Sequence, residues 1–297
     1  RPRTEMIYSM VSQQTQKADI RQTCRVLHVS RSGFYASKCR ANKPRLCRAS
    51  VQVKAAFTSS HQAYGSRRIV QELQAQGVAI GRFKVRRLMR EAGLKPVWKR
   101  KFVNTTDSKH DLPVAENLLA RQFNPPLSNQ AWTSDITYIR TKTGWLYLAA
   151  VMELHSRKII GWAMDATMPA ELVCRALRMA IGQRQPQTGL ILHSDRGSQY
   201  ASGEYQALLK QHGMICSMSR KGNCWDNAVM ERFFLNLKME RVWQREYANQ
   251  LEARKDVTDY IVGFYNCVRR HAALGNVAPI VFEQQAAKCP IVVSEIT

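Results

Sequence analysis

Between residues 131 and 166 the apolar positions fall into three runs separated by short polar breaks. A-W-T-S-D-I-T-Y-I-R (131–140) alternates polar and apolar, and G-W-L-Y-L-A-A-V-M-E-L (144–154) is almost wholly apolar. R-K-I-I-G-W-A-M-D-A (157–166) follows a turn at His155-Ser156, and Gly144 marks the turn before it. Runs this close together predict three adjacent strands in an antiparallel meander. From 169 to 184 the period becomes helical, with Leu172, Val173, Ala176, Leu177 and Ala180 on one side. A short strand at 189–193, a helix near 203–211, a strand M-I-C-S-M-S (214–219) and a long amphipathic helix at 226–243 complete the pattern. The order βββ-α-β-α-β-α implies an α/β fold, a mixed five-stranded sheet flanked by helices.

The chain before this region is helical. Residues 20–37 read as two short helices around a break at Val29-Ser30, with Ser30 as an N-cap. That is the outline of a helix-turn-helix, and also of any helical hairpin. Residues 64–94 hold two amphipathic helices separated by Gly77 and Gly81. Ile69, Val70 and Leu73 form the apolar face of the first; Val85, Leu88 and Met89 form that of the second, which Gly93 terminates. From 95 to 130 the pattern is irregular, with basic residues near 99–101, Thr-Thr-Asp-Ser, and Pro125-Pro126 around a short helix expected at 114–122. The expected organisation is an N-terminal helical region (1–48), a basic helix-turn-helix-like module (49–105), a linker (106–126), a catalytic core (127–245) and a C-terminal helical extension (246–297).

Charge sharpens this picture. The net charge is +23, and residues 1–110 hold 24 Lys+Arg against 5 Asp+Glu, whereas residues 111–297 hold 21 against 17. A basic block concentrated in one region favours a polyanion, most simply nucleic acid. The second helix of the 64–94 module carries Arg82, Lys84, Arg86, Arg87 and Arg90, a set suited to phosphates and base edges in a DNA groove. A solvated basic helix is the plainer alternative. No apolar run reaches the roughly 18 residues of a membrane span, and the first ten residues lack the apolar core of a signal peptide. Eight cysteines without a C-x-x-C pair or zinc-finger spacing imply free thiols. These features lead us to expect a cytoplasmic, nucleoid-associated protein without a membrane partner.

The sheet then gathers acids. The 189–193 strand runs into His193-Ser194-Asp195, and Asp135 lies in the first strand, expected beside it. Glu231 lies in the long helix after the loop R-K-G-N-C-W-D-N. Fifty-nine residues separate the aspartates, and 35 separate Asp195 from Glu231. Converging carboxylates would repel by about 4 kcal/mol per close pair at an effective dielectric near 20. Divalent cations remove that penalty and support in-line phosphoryl displacement. Lys238, two helical turns past Glu231, shares roughly its face.

The chain resembles the OrfB transposases of insertion-sequence family three, DDE enzymes whose core is similar to retroviral integrases. The residues that carry the resemblance are W-x-x-D-I-T-Y-I (132–139), H-S-D-R-G-S-Q-Y (193–200) and K-G-N-C-W-D-N-A-V-M-E-R-F-F (221–234). Lys238, the tail Y-N-C-V-R-R-H-A-A-L (265–274) and Y-G-S-R-R-I (64–69) extend it over nearly the whole chain. The resemblance implies an RNase H-like core and two Mg²⁺ or Mn²⁺ ions held by Asp135, Asp195 and Glu231. It further implies Lys238 on terminal DNA, double-stranded element ends and target DNA as partners, and a homo-oligomer. The implied reaction is hydrolytic cleavage at the element end, then attack by the freed 3′-hydroxyl, by way of a circular intermediate. Family enzymes are fused by frameshifting to an upstream helix-turn-helix and leucine-zipper protein; the lack of an initiator Met fits such a fusion. One departure is Glu153, where the family usually has aspartate. A catalytically inactive DNA-binding regulator and an RNA-directed nuclease are the competing classes. The three intact acids disfavour the former, and the basic front modules the latter.

Other residues carry lesser expectations. His193-Ser194-Asp195 is not a serine-hydrolase triad by adjacency, and no G-x-S-x-G elbow is present. Trp225 is expected as a loop anchor, with base stacking as its alternative. Asp226 and Asn227 are expected to cap the following helix. Tyr265, Asn266, Arg269 and His271 are open between steadying that helix and touching phosphate.

Overall fold

The computed structural model describes residues 4–14, 19–41, 47–97, 114–220 and 223–288. The basic stretch at 99–101, Thr-Thr-Asp-Ser and Cys289 lie outside them. The chain divides into two compact units, residues 1–55 and 56–297. In the first, α1 (Thr4–Gln14), α2 (Ile20–Val26) and α3 (Arg31–Ala41) enclose Val11, Cys24 and Phe34. Asp19 caps α2 by accepting from the Arg21 amide, and Ser30 accepts from the Gly33 amide at 3.0 Å, as its position in sequence predicts. Helix α4 (Arg48–Ser59) spans the division between the units.

The second unit opens with α5 (Ser66–Ala75) and α6 (Arg82–Glu91), which bury the apolar faces expected of them: Ile69, Val70 and Leu73 on one, Val85, Leu88 and Met89 on the other. Gly93 (φ +65°) ends α6 in the left-handed conformation, where the Leu94 amide returns to the Met89 carbonyl at 2.8 Å. The expected helix at 114–122 does not form. Instead the segment runs beside a sheet edge: the Met218 amide donates to the Glu116 carbonyl, and the Leu118 and Leu119 amides both donate to the Ser217 hydroxyl. With these groups engaged elsewhere, the helical ladder loses its donors.

The sheet contains β1 (Ala131–Thr141), β2 (Gly144–Glu153), β3 (Ile159–Asp165), β4 (Ile191–Ser194) and β5 (Ile215–Met218), in the order β3-β2-β1-β4-β5. The first three form the antiparallel meander; β4 and β5 add in parallel. Seven of the ten residues of β2 are buried, which explains its apolar run: the strand lies inside the sheet, between β3 and β1. Helix α7 (Ala170–Arg184) lays Leu172, Val173, Ala176, Leu177 and Ala180 on Trp132, Ala149, Val151 and Ile160. Helix α8 (Gly203–Gln211) lies between β4 and β5 in sequence and buries Tyr205, Leu208 and Leu209 in the same core.

Helix α9 (Ala228–Glu240) follows, then α10 (Gln250–Asp259), which continues through π-helical residues 260–265, and α11 (Pro279–Lys288). Glu240, at the end of α9, is buried against Arg269 (2.8 Å) and accepts from the Tyr260 hydroxyl at 2.7 Å. Tyr64 joins the front of the unit to its tail: its hydroxyl accepts from the Arg270 amide and donates to the Val268 carbonyl. Arg270 also pairs with Glu72 of α5 at 2.8 Å. Cysteines 24, 39, 47, 174, 216 and 267 are free thiols. Among the described residues no helix is long and apolar enough to cross a membrane.

Strand β3 and helix α7 meet closely at Gly161. A Cβ there would stand 2.2 Å from the Ala176 carbonyl oxygen and 2.8 Å from the Ala180 nitrogen, both backbone atoms of α7. Gly161→Ala must push the helix off the sheet and is expected to destabilise the core by about 1–3 kcal/mol. Urea unfolding followed by circular dichroism measures this; an unchanged midpoint would show that α7 shifts freely.

Candidate active site

The parallel register of β1 and β4 pairs Ala131 with Ile191, Trp132 with Leu192 and Thr133 with His193. Carried two positions further, that offset brings Asp195 level with Asp135. β4 ends at Ser194, so the two aspartates flank the point where the strands part. Each carboxylate is held locally: Asp135 accepts from the Ile136 amide at 2.7 Å and Asp195 from the Gly197 amide at 2.9 Å. Burial raises the Asp135 carboxyl well above the usual range. The charges of Asp195 and Glu231 raise it further, while the Ile136 amide and Lys238 oppose them. Glu231, on the first turn of α9, is raised by partial desolvation. Asp135 therefore feels the charges of Asp195, Glu231 and Lys238.

Lys238 is half-buried, with Nζ 4.4 Å from the centroid of the Tyr138 ring, which in turn meets Trp145 edge-on at 5.2 Å. Burial lowers the Lys238 ammonium and Asp135 opposes that shift. Lys238 and Asp135 thus act on each other's charge.

The N-terminal end of α9 is held in a way the sequence did not suggest. Asn227 occupies the cap position but makes no capping bond. Its Oδ1 accepts from the Thr133 hydroxyl at 2.6 Å and its Nδ2 donates to the Ser134 carbonyl, tying the helix to β1 beside Asp135. Asp226 does not cap either. It is buried and accepts from Arg121 Nε (2.8 Å), from Arg220 Nε, Nη2 and amide (3.0 Å each), and from Asn117 Nδ2 (2.9 Å). Arg220's bonds lead in holding the Asp226 carboxyl far below the usual range; burial opposes them and Arg121 adds to them. Arg121 and Asn117 stand more than a hundred residues from Asp226 in sequence, so no local spacing signals them.

Several expectations are corrected or decided here. Trp225 is 68% exposed and anchors nothing. His193 is buried with both ring nitrogens engaged, Nδ1 with Ser217 Oγ (2.9 Å) and Nε2 with Ser219 Oγ (3.2 Å). Burial lowers its pKa to about 4 against the opposing charge of Asp226, and because its ring nitrogens face Ser217 and Ser219 it is not a general base for Ser194. Glu153 is buried and fully used: Oε1 accepts from the Asn129 and His155 amides, Oε2 from the Ser156 amide and hydroxyl. It replaces aspartate as a turn-former. Arg269 is consumed by Glu240, Asn266 bonds the Ile159 amide and carbonyl, and Tyr265 packs on Phe233 and His271. Arg269 and Tyr265 thus hold α9, and Asn266 ties the tail to β3.

A carboxylate raised by two neighbouring carboxylates is the environment a divalent cation neutralises, and an all-oxygen donor set suits Mg²⁺ or Mn²⁺. The oxygens of Asp135, Asp195 and Glu231 do not all lie within 4.8 Å of one another; among the described residues that spacing occurs at Glu171, Cys174 and Glu204. There Arg178 already pairs with Glu171 at 2.7 Å. A cavity of about 720 Å³ opens at the other end of β1 and β4, lined by Gln130, Ala131, Leu190 and Ile191, away from the acids. Arg82, Lys84, Arg86, Arg87 and Arg90 stand exposed on α6.

Two integrase core domain models match residues 125–224 and 212–279, and an HTH-like domain model matches 47–102. The chain is 42% identical to the transposase InsF for insertion sequence IS3A of Escherichia coli strain K12, over 94% of this chain and 99% of that protein. It is 43% identical to an uncharacterized 31 kDa protein of insertion element IS600 of Shigella sonnei, over 88% and 97%. Among solved structures it is similar to the catalytic core domain of BIV integrase, at 19% identity and a TM-score of 0.40, over 54% of this chain and 98% of that one. The chain belongs to the IS3 family of insertion-sequence transposases, DDE-type polynucleotidyl transferases with an integrase core and an HTH-like domain.

Proposed function

We propose that this transposase cuts a phosphodiester at the ends of its element and joins the freed 3′-hydroxyl to another DNA strand, with Asp135, Asp195 and Glu231 as metal ligands. The observation that carries the reading is the charge coupling of Asp135 to Asp195 and Glu231 at the point where β1 and β4 part. Divalent cations, when bound, activate the attacking oxygen and stabilise the leaving one. The two aspartates offer ligands from neighbouring strands, and Glu231 closes the set from α9. Lys238, kept in place by the Tyr138 ring, steers the terminal phosphate toward them. The circular intermediate and a homo-oligomeric assembly belong to the same reading. Residues 49–105 then hold double-stranded end DNA through Arg82, Lys84, Arg86, Arg87 and Arg90, and residues 127–245 do the chemistry.

Glu231→Gln is expected to lower cleavage and joining of a labelled element-end duplex with Mg²⁺ by at least about a hundredfold, since even outer-shell changes at metal sites reach that size. End binding in a gel-shift assay stays within a few fold. Equal loss of binding would make Glu231 structural. Asn227→Ala should act differently, because the residue positions α9 without touching substrate. It leaves Thr133 without its partner, which costs about 1–3 kcal/mol, and lowers the joining rate at unchanged DNA affinity; a wild-type rate would separate the Asn227 tie from catalysis. Neutralising Arg86 and Arg87 together should reduce the slope of log affinity against log salt by about 1 to 2. An unchanged slope would place the DNA surface elsewhere.

A further inference from the structure

Phe83 is 85% exposed, the highest value for a large apolar side chain among the described residues. It is the second residue of α6. The buried face of that helix is Val85, Leu88 and Met89. Phe83, Arg86, Arg87 and Arg90 follow one another at i, i+3, i+4 and i+7, which places them in one stripe on the opposite face. Arg82 and Lys84 flank the ring, and the one carboxylate paired with these cations among the described residues is Glu91, 3.6 Å from Arg87 Nε.

A single exposed apolar side chain on a surface needs no explanation. This one differs in its setting. A ring framed by five cations is a poor seat for an apolar protein partner and complements a polyanion that also offers apolar groups. Double-stranded DNA does so in its major groove, where thymine presents its 5-methyl group beside hydrogen-bonding base edges. The position also fits: in helix-turn-helix proteins the N-terminal residues of the second helix reach the base edges, and Phe83 stands in the first turn of α6.

We propose that Phe83 reads thymine, its ring seated on the 5-methyl group of one T·A pair in the major groove of the DNA this protein binds, while the cations of α6 hold the flanking phosphates. The inference rests on the reading of the α5–α6 module as a double-stranded DNA binder. Phe83 is then a specificity-determining residue, and the cations supply affinity without sequence.

The experiment uses the full chain and a pool of duplexes randomised in sequence. Wild type should enrich a site with a T·A pair at one fixed position, and Phe83→Ala should lose the preference there alone. Replacing that thymine by deoxyuridine removes only the methyl group. The change should weaken wild-type binding about fourfold, the transfer value of one methyl-sized group, and leave Phe83→Ala unaffected. Phe83→Leu, which retains an apolar side chain, should keep part of the sensitivity. Equal affinity of wild type for thymine and deoxyuridine at every thymine of the selected site would overturn the inference. So would the same sensitivity in wild type and Phe83→Ala, which assigns the methyl to another residue. If wild type enriches no duplex at all, the DNA-binding reading of the module fails first, and the inference with it.

Discussion

Helix α9 is pinned at both ends by buried carboxylates, and the candidate active site depends on that. At its C-terminal end Glu240 takes Arg269, Tyr260 and, at 3.9 Å, Arg68. Burial opposes the Arg269 charge, yet the Glu240 carboxylate raises the guanidinium above its ordinary value, so Arg269 stays charged. Removing one partner of such a pair leaves the other charge buried alone, at about 3–5 kcal/mol. Just before the N-terminal end, Asp226 takes Arg121 and Arg220. Glu231 lies between these anchors, and Asn227 sets the distance from helix to strand through Thr133. A side chain that must approach two other acids without a cation present is repelled; the anchors hold it there regardless.

The aspartates need no comparable device, because the sheet places them. A parallel offset that pairs 131 with 191 levels 135 with 195. β4 stops at Ser194, so the backbone beside Asp135 is free of that ladder. On the proposed function, that open end is where ions and a scissile phosphate would sit.

Much of this was legible in the sequence because it is periodic or local. The three apolar runs became β1, β2 and β3 with ends within about two residues, and Leu172, Val173, Ala176, Leu177 and Ala180 face the core as their spacing requires. Gly93 and Ser30 mark the helix termini they signal. What could not be read is pairing across distance. Residues 114–122 have helical spacing, but the Leu118 and Leu119 amides go to the Ser217 hydroxyl and the Glu116 carbonyl takes the Met218 amide. Asp226 and Asn227 look like a capping pair, since such residues before a helix usually cap it. Arginines from residues 121 and 220 and a threonine from 133 outbid the local amides. The tail motif Tyr265-Asn266…Arg269…His271 likewise looked open between DNA and core until burial decided it.

The anchors of α9 also reach the front of the unit. Arg68 of α5 lies beside Glu240, Tyr64 bonds the backbone on either side of Arg269, and Glu72 pairs with Arg270. The Y-G-S-R-R-I segment therefore does not itself face DNA with its conspicuous tyrosine and second arginine; it fastens α5 to the tail that holds α9. Helix α6 packs on α5, each with its apolar face buried. Contacts thus run from α6 through α5 to Glu240 at the C-terminal end of α9. On the function proposed above, DNA held by the α6 cations would stand at a set distance from the acids, which a protein cutting at a set position relative to a recognised sequence requires.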